Sequence, residues 1–339
     1  MTEKQSKHRF PYKWTLKDAI FTKDKGTVFS CFACGGGSTM GYKLAGFDVI
    51  GCNEIDPKMM EAYRVNHNPK YSYLEPIQTF KLRNDLPDEL YNLDILDGSP
   101  PCSSFSMAGN REKDWGKEKK FREGQANQVL DNLFFDFIDL AKKLQPKVVI
   151  AENVKGLLMG AAIDYVRRIY RKFDQAGYYC QHWLLDASKM GVPQRRERVF
   201  FVALRKDLAK PFMYQKDLFT VAPKLELKFS ESEIPIKEFA KGIPKKITQN
   251  YSAERFGDVM LDINRASNTI ASDINRYWLD ENNLIDKDTV ILIGSYPIDY
   301  NFLESNNPQY LIGMSVPPVM TAQIATEIYT QWLSKIITK

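Results

Sequence analysis

Three short groups of residues have the types and spacing that covalent chemistry would use. Asp97-Gly98-Ser99-Pro100-Pro101-Cys102-Ser103 ends a candidate strand; its two prolines stiffen the turn and fix where the Cys102 thiol points, with a Lys/Arg-rich stretch from Arg111 to Arg122 nearby to hold a thiolate. A positioned nucleophile fits this pattern, with a buried packing cysteine as the alternative. Ala151-Glu152-Asn153-Val154 follows a second strand, where a partly desolvated carboxyl group can donate a proton or hydrogen bond to a bound base. Helix capping by Glu152 or Asn153 is the alternative there. Gln194-Arg195-Arg196-Glu197-Arg198 precedes a third strand, and alternation sends Arg196 and Arg198 to one face, suited to bidentate contact with phosphate or a base carbonyl. A solvated run of charge is the plain reading of the same residues.

A fourth group looks like a ligand loop. Phe32-Ala33-Cys34-Gly35-Gly36-Gly37-Ser38-Thr39 joins the first strand to a helix, where glycines let backbone approach a ligand and free helix N–H groups face an anionic end. Glu54, after the second strand, is placed to accept hydrogen bonds from ribose hydroxyls, so the site should hold an adenosine-containing cofactor. The glycine spacing does not fit Gly-x-Gly-x-x-Gly, which disfavours NAD. Cys31 and Cys34 have the spacing of a redox or zinc pair, yet Cys31 falls on the strand and no second pair follows, so no metal is expected.

The elements that must position these groups alternate from about residue 26. Candidate strands are 27–32, 48–53, 93–97, 147–151, 178–185 and 198–204, separated by helical stretches such as 58–66, opened by Asp56-Pro57, and about 125–143. This rhythm is that of a doubly wound α/β fold with a parallel sheet covered on both faces. The rhythm is lost after Leu204, which places a second, smaller domain at 205–307. An amphipathic helix after Pro317-Pro318 closes the chain and must pack back on the first domain. The first domain is then 1–204, with a basic arm at 1–25, plus 308–339.

With 339 residues, two domains are the natural division. Apolar residues at 44% and charged residues at 26% exclude a disordered, collagen-like or disulfide-scaffold chain. The net charge of +5, from 47 Lys and Arg against 42 Asp and Glu, permits an anionic partner without requiring one. No apolar run nears the ~20 residues of a membrane span, and the basic first 25 residues lack a secretory pattern. A cytoplasmic protein without membrane contact and with reduced thiols is the expectation.

In their order, the glycine loop, Pro101-Cys102, Glu152-Asn153-Val154, Gln194 to Arg198 and Gly313-Met314-Ser315-Val316-Pro317-Pro318 resemble the motif set of the DNA cytosine-5 methyltransferases, and the match spans nearly the whole chain. The resemblance implies a Rossmann-like S-adenosylmethionine-dependent methyltransferase sheet with a smaller target-recognition domain. It also implies a methyl donor, S-adenosylmethionine, that leaves as S-adenosylhomocysteine, and a cytosine flipped out of double-stranded DNA. By it Cys102 is the nucleophile, Glu152 meets ring nitrogen 3 and the exocyclic amine, and Arg196 and Arg198 hold the target nucleotide. Phe32, Ala33, Gly35, Gly36, Gly37, Glu54, Ile55, Pro101, Ser315 and Val316 form the cofactor site. Pro101, Ser103, Asn153 and Gln194 position the substrate, with Asn153 bracing the Pro101-Cys102 loop. The compact prokaryotic or phage enzymes are the nearest type, which implies a monomer often partnered with a restriction endonuclease.

Four positions depart from that family's pattern. Cys34 stands where Gly is common, Ser103 where Gln often follows the nucleophile, and Met314 where Asn is usual, leaving Ser315 as the assignment. An Asp that usually meets the adenine amino group is replaced near Pro76-Ile77-Gln78, and its substitute is open. Three rivals remain. A transfer RNA cytosine-5 methyltransferase is disfavoured by a variable region of about 100 residues. An amino-group methyltransferase with a Ser-Pro-Pro-Tyr loop is disfavoured by the missing aromatic ring. A catalytically inactive DNA-binding paralogue is disfavoured by the retention of Cys102, Glu152 and Arg198. Ser267-Asn268-Thr269-Ile270 resembles the motif that closes the target-recognition region.

Overall fold

The computed structural model describes residues 8–101, 132–160, 162–215, 221–243, 257–272, 276–280, 282–303 and 308–337, and the backbone alone of two short strands at 118–119 and 128–129. Its centre is a seven-stranded sheet. The strands are β1 (Thr27–Cys31), β2 (Asp48–Glu54), β3 (Tyr71–Leu74), β4 (Ile95–Gly98), β5 (Val148–Val154), β6 (Tyr178–Asp186) and β7 (Glu197–Arg205), in the spatial order 3-2-1-4-5-7-6. Near-continuous apolar runs such as Val148-Val149-Ile150-Ala151 suit strands covered on both faces, and β5 is buried from Val148 to Ala151.

Two features of the sheet differ from the sequence expectation. β7 runs antiparallel to both neighbours, pairing Val149 with Ala203 and Tyr179 with Leu204, so the sheet is not wholly parallel. The short connection from β6 to β7 explains this, since it is a reversal and has no room for a crossover helix. The edge strand β3 was not anticipated. It has four residues and no buried position, so it carries no alternation to read.

Helices cover both faces. α1 (Gly37–Leu44) follows the glycine loop, and α2 (Pro57–His67) is capped by Asp56, whose carboxylate accepts the N–H groups of Lys58 and Met59. A short α3 (Ile77–Phe80) leads toward β4. α4 (Leu133–Leu144) and α5 (Ala162–Gln175) cover one face, with Phe134, Phe137, Tyr165 and Ile169 in one cluster with Phe29, Leu96 and Phe201 of the strands.

After β7 the chain first stays with the sheet, where Ala209, Phe212, Leu225 and Leu227 join the second cluster with Val28, Ile150 and Val202. From Ile236 a third cluster forms, in which Leu261, Ile270, Tyr277, α6 (Lys287–Ile293) and α7 (Pro308–Met314) meet Met40 of α1 and Met59 of α2. The closing helix α8 (Pro318–Gln331) lies on α1. A β-carbon at Gly41 would stand 2.3 Å from the Pro318 carbonyl oxygen, so this close helix contact requires the glycine. No helix among the described residues is long and apolar enough to cross a membrane.

Candidate active site

The C-terminal ends of β1, β2 and β4 open onto a cavity of about 770 Å³, including its mouth. Phe32, Cys34, Glu54, Ile55, Asp56 and Met59 line one side. Glu75, Pro76 and Ile77 line a second, and Ser99, Pro101, Leu133, Tyr310 and Met314 complete the wall. Most of these residues are apolar, with Glu54, Asp56, Glu75 and Ser99 among the few polar groups, as in small-molecule sites.

Glu54 anchors the first of these sides. Its carboxylate accepts the backbone N–H of Cys34 at 2.7 Å, Ile55 at 2.8 Å and Asp56 at 2.9 Å, tying the loop after β1 to the loop after β2. Burial nevertheless raises its pKa above the ordinary glutamate range, with those three bonds opposing the shift. Cys34 keeps the backbone that glycine would favour, with φ of +48°, and Phe32 has φ of +51°. The cysteine in the loop is thus accommodated in a left-handed conformation, its sulfur 3.6 Å from that of Met59. Of the other loop residues, Ala33 packs with Cys52, Met60 and Tyr63. Gly36, at φ of +89°, caps α1, and a β-carbon there would stand 2.0 Å from Nε2 of His67. Ser315 is buried, donating to the Leu311 carbonyl at 2.7 Å, and Val316 belongs to the sheet core, so Met314 is the member of that motif that reaches the cavity.

The end of β5 brings the acid and one arginine together. Nε of Arg198 lies 3.0 Å from the Glu152 carboxylate, both side chains being largely buried. Burial lowers the Arg198 pKa, while the carboxylate opposes that shift. Asn153, beside Glu152, donates from Nδ2 to the Pro100 carbonyl at 3.1 Å and accepts the Val154 N–H at 2.9 Å. It therefore holds the turn that leads into Pro101. Cys102 and Ser103, like Arg111 and Arg122 of the basic stretch, lie outside the described residues. Behind the turn, Asp97 accepts hydrogen bonds from Ser30 at 2.9 Å and Tyr42 at 3.0 Å, and burial pushes its pKa up to about 7, with the Glu152 charge adding to the rise.

Arg196 and Gln194 point elsewhere. Arg196 is 3% exposed, and its guanidinium donates to the carbonyls of Gly313 and Ser315 at 2.9 Å each and of Ile270 at 3.4 Å. Burial, reinforced by nearby Arg198, lowers its pKa to about 9. Gln194 accepts the Ile270 N–H at 3.1 Å and donates to the Ile293 carbonyl at 3.3 Å. Backbone bonds from Arg195 to Ser267 and from Ser267 to Pro193 complete a seam. The motifs 194–198 and 267–270, far apart in sequence, are thus one structural unit.

Sequence reasoning did not find Asn53, Glu75, Leu133 or Tyr310 as cavity residues. Asn53 had a signal, since a polar residue on a buried strand needs partners; Nδ2 donates to the carbonyls of Tyr73 and Glu75 and so shapes the rim. Leu133 sits on a helix whose periodicity marks it as a core residue, and Tyr310 is a half-buried residue of the short α7, with no pattern to single it out.

Comparisons with known proteins agree with this geometry. A match to the C-5 cytosine-specific DNA methylase family spans residues 26–287. Type II methyltransferase M.FnuDI of Fusobacterium nucleatum is 37% identical over 181 residues, covering 53% of this chain and 47% of that protein. Type II methyltransferase M.NgoPII of Neisseria gonorrhoeae is 30% identical over 246 residues, covering 70% and 67%. The aligned stretch thus spans about half the length of the first relative. In three dimensions, an E. coli prophage protein described as a DNA modification methyltransferase superimposes with a TM-score of 0.64 at 20% identity, over 90% of this chain and 99% of that one. Spodoptera frugiperda DNMT2 gives 0.60 at 18%, over 88% and 98%; at these identities the likeness shows the fold. Strand order, cavity and family match agree: this chain belongs to the C-5 cytosine-specific DNA methylase family.

Proposed function

We propose that the protein is a DNA (cytosine-5-)-methyltransferase acting on a cytosine turned out of double-stranded DNA. One juxtaposition carries the reading: the Glu152–Arg198 pair and the Asn153-held turn before Cys102 stand at the same sheet edge as the cavity walled by Phe32, Glu54 and Ile55. That cavity suits S-adenosylmethionine. Three of the roughly four lone-pair positions of the Glu54 carboxylate are taken by backbone, leaving one for a ribose hydroxyl. Ile55, Pro76 and Ile77 offer an apolar slot for a purine.

Bound there, S-adenosylmethionine supplies an electrophilic methyl group for carbon 5 and leaves as S-adenosylhomocysteine. The chain's own residues make carbon 5 reactive. The Cys102 thiolate adds to carbon 6, and the electron pair of the 5,6 double bond shifts so that carbon 5 becomes enamine-like. Glu152 donates a hydrogen bond at ring nitrogen 3, and Arg198 holds the base oxygen. The carbon 5 proton then passes to water, its electron pair re-forms the 5,6 double bond, and Cys102 leaves carbon 6 as the thiolate, which restores the aromatic ring.

In this reading 205–307 reads the target sequence, and 1–204 with 308–339 performs catalysis. The type II names of the relatives support a restriction-modification setting with a cognate endonuclease. Incubation with tritiated S-adenosylmethionine and either duplex DNA or transfer RNA tests the proposal. Duplex DNA is labelled as 5-methylcytosine, Cys102→Ala abolishes labelling, and 5-fluorocytosine in the target traps the wild type covalently. Labelling of transfer RNA alone would overturn the DNA assignment.

A further inference from the structure

Two segments outside the family match meet behind the glycine loop. Residues 8–25 precede the matched span, and Ser295–Phe302 follow it. They are bonded to each other in detail. The Trp14 indole, 8% exposed, donates to the Ser295 carbonyl at 3.1 Å, and the Ile298 N–H donates to the Trp14 carbonyl at 2.9 Å. Asp299 accepts the backbone N–H of Leu16 at 2.6 Å and of Lys17 at 3.1 Å.

The next residue carries this anchoring to the loop. The Tyr300 hydroxyl donates to the Gly35 carbonyl, and Nε2 of His67 lies 3.1 Å from the same hydroxyl. Tyr300 has one proton, already given to Gly35, so His67 must be the donor to its oxygen. Burial, helped by nearby Lys43, holds His67 in its neutral form, consistent with a single proton on Nε2. The His67 ring also fills the space against Gly36 that a side chain there would need. A continuous chain of contacts therefore runs from Trp14 and Asp299 through Tyr300 and His67 to the loop that begins α1.

We propose that residues 8–25 are a strap that sets cofactor affinity by fixing Tyr300 against the glycine loop, with Tyr300, His67 and Asp299 as positioning residues. The proposal deepens the methyltransferase reading and rests on it for the identity of the ligand. An ordered loop binds more tightly because its ordering cost is already met before the ligand arrives.

Tyr300→Phe keeps the ring and removes the hydroxyl; Asp299→Ala releases the strap without touching the loop. S-Adenosylhomocysteine binding is measured calorimetrically without DNA, alongside amide hydrogen exchange over residues 33–40. Loss of one net hydrogen bond weakens binding by about 3- to 10-fold for Tyr300→Phe. Asp299→Ala weakens it by a smaller factor, and both variants exchange faster at 33–40. The KM for S-adenosylmethionine rises while kcat at saturation stays within about twofold, since the strap touches no reacting atom. Wild-type affinity and exchange in both variants, with only a lower melting temperature, would overturn the proposal. If the wild type fails to bind S-adenosylhomocysteine, the methyltransferase reading falls instead, and exchange at 33–40 alone decides whether the strap orders the loop.

Discussion

Replacing Arg196 by methionine should destabilise the protein before any DNA is present. Its guanidinium holds two carbonyl oxygens at 2.9 Å, those of Gly313 and Ser315, inside a site that is 3% exposed. Hydrogen bonds from a charged donor contribute about 1.5–3 kcal/mol each, and methionine leaves both acceptors buried without a partner. Relief from burying the guanidinium offsets part of the loss, so the net cost is about 3–5 kcal/mol. Unfolding entropy near 2.1 cal/mol/K per residue gives about 0.7 kcal/mol/K for a chain of this size, hence a drop of about 4–7 °C in Tm. Differential scanning calorimetry of the DNA-free protein reads this directly. Arg196→Lys should fall in between, because one ammonium cannot span both carbonyls. A Tm within about 1 °C of wild type, together with lost methylation, would refute the reasoning and make Arg196 a substrate contact instead of a clamp.

Further outcomes follow from the same geometry. Glu152→Gln keeps a hydrogen-bonding side chain beside Arg198 but removes the acid, so single-turnover methylation should slow by about 10²–10⁴ with little change in DNA affinity. Asn153→Ala leaves the Pro100 carbonyl without its donor at a cost of about 1–3 kcal/mol, read by urea titration, and lowers kcat by loosening the turn before Cys102. Asp97, with its folded pKa near 7 against an ordinary value of 3.8, favours the folded state only while protonated. Stability therefore falls as pH rises from about 4 to 7, by up to about 4 kcal/mol, and Asp97→Asn should flatten that slope in Tm-against-pH measurements. Gly36→Ala puts a side chain at a positive φ and into His67, so soluble protein should be lost or S-adenosylhomocysteine binding abolished.

Much of the scaffold could be read from residue patterns. The runs at 148–151 and 199–204 had to be buried strands, and Asp56-Pro57 had to open a helix, because each signal is local. What escaped depends on contacts far apart in the chain. The short connection before Glu197 marks a reversal against β6, but nothing near it says that β7 inserts between β5 and β6. At the site, Glu152 and Arg198 were singled out separately, and their ion pair follows only from the register of β5 on β7. Arg196 was grouped with Arg198 by alternation, but β7 starts at Glu197, so the two guanidinium groups go to different partners. His67 and Tyr300 carried no motif, and their importance lies in meeting each other where Tyr300 donates to the Gly35 carbonyl.

The contact between α1 and α8 sets a constraint on biosynthesis. The apolar side of α1, with Tyr42, Ala45 and the following Phe47, is covered by Val319, Met320 and Ala322 near the other end of the polypeptide. During translation that surface emerges from the ribosome early and waits for some 280 further residues before its cover is made, an interval of tens of seconds at ordinary elongation rates. A nascent chain halted before residue 318 would expose this patch, making premature termination products natural clients for chaperones and proteases.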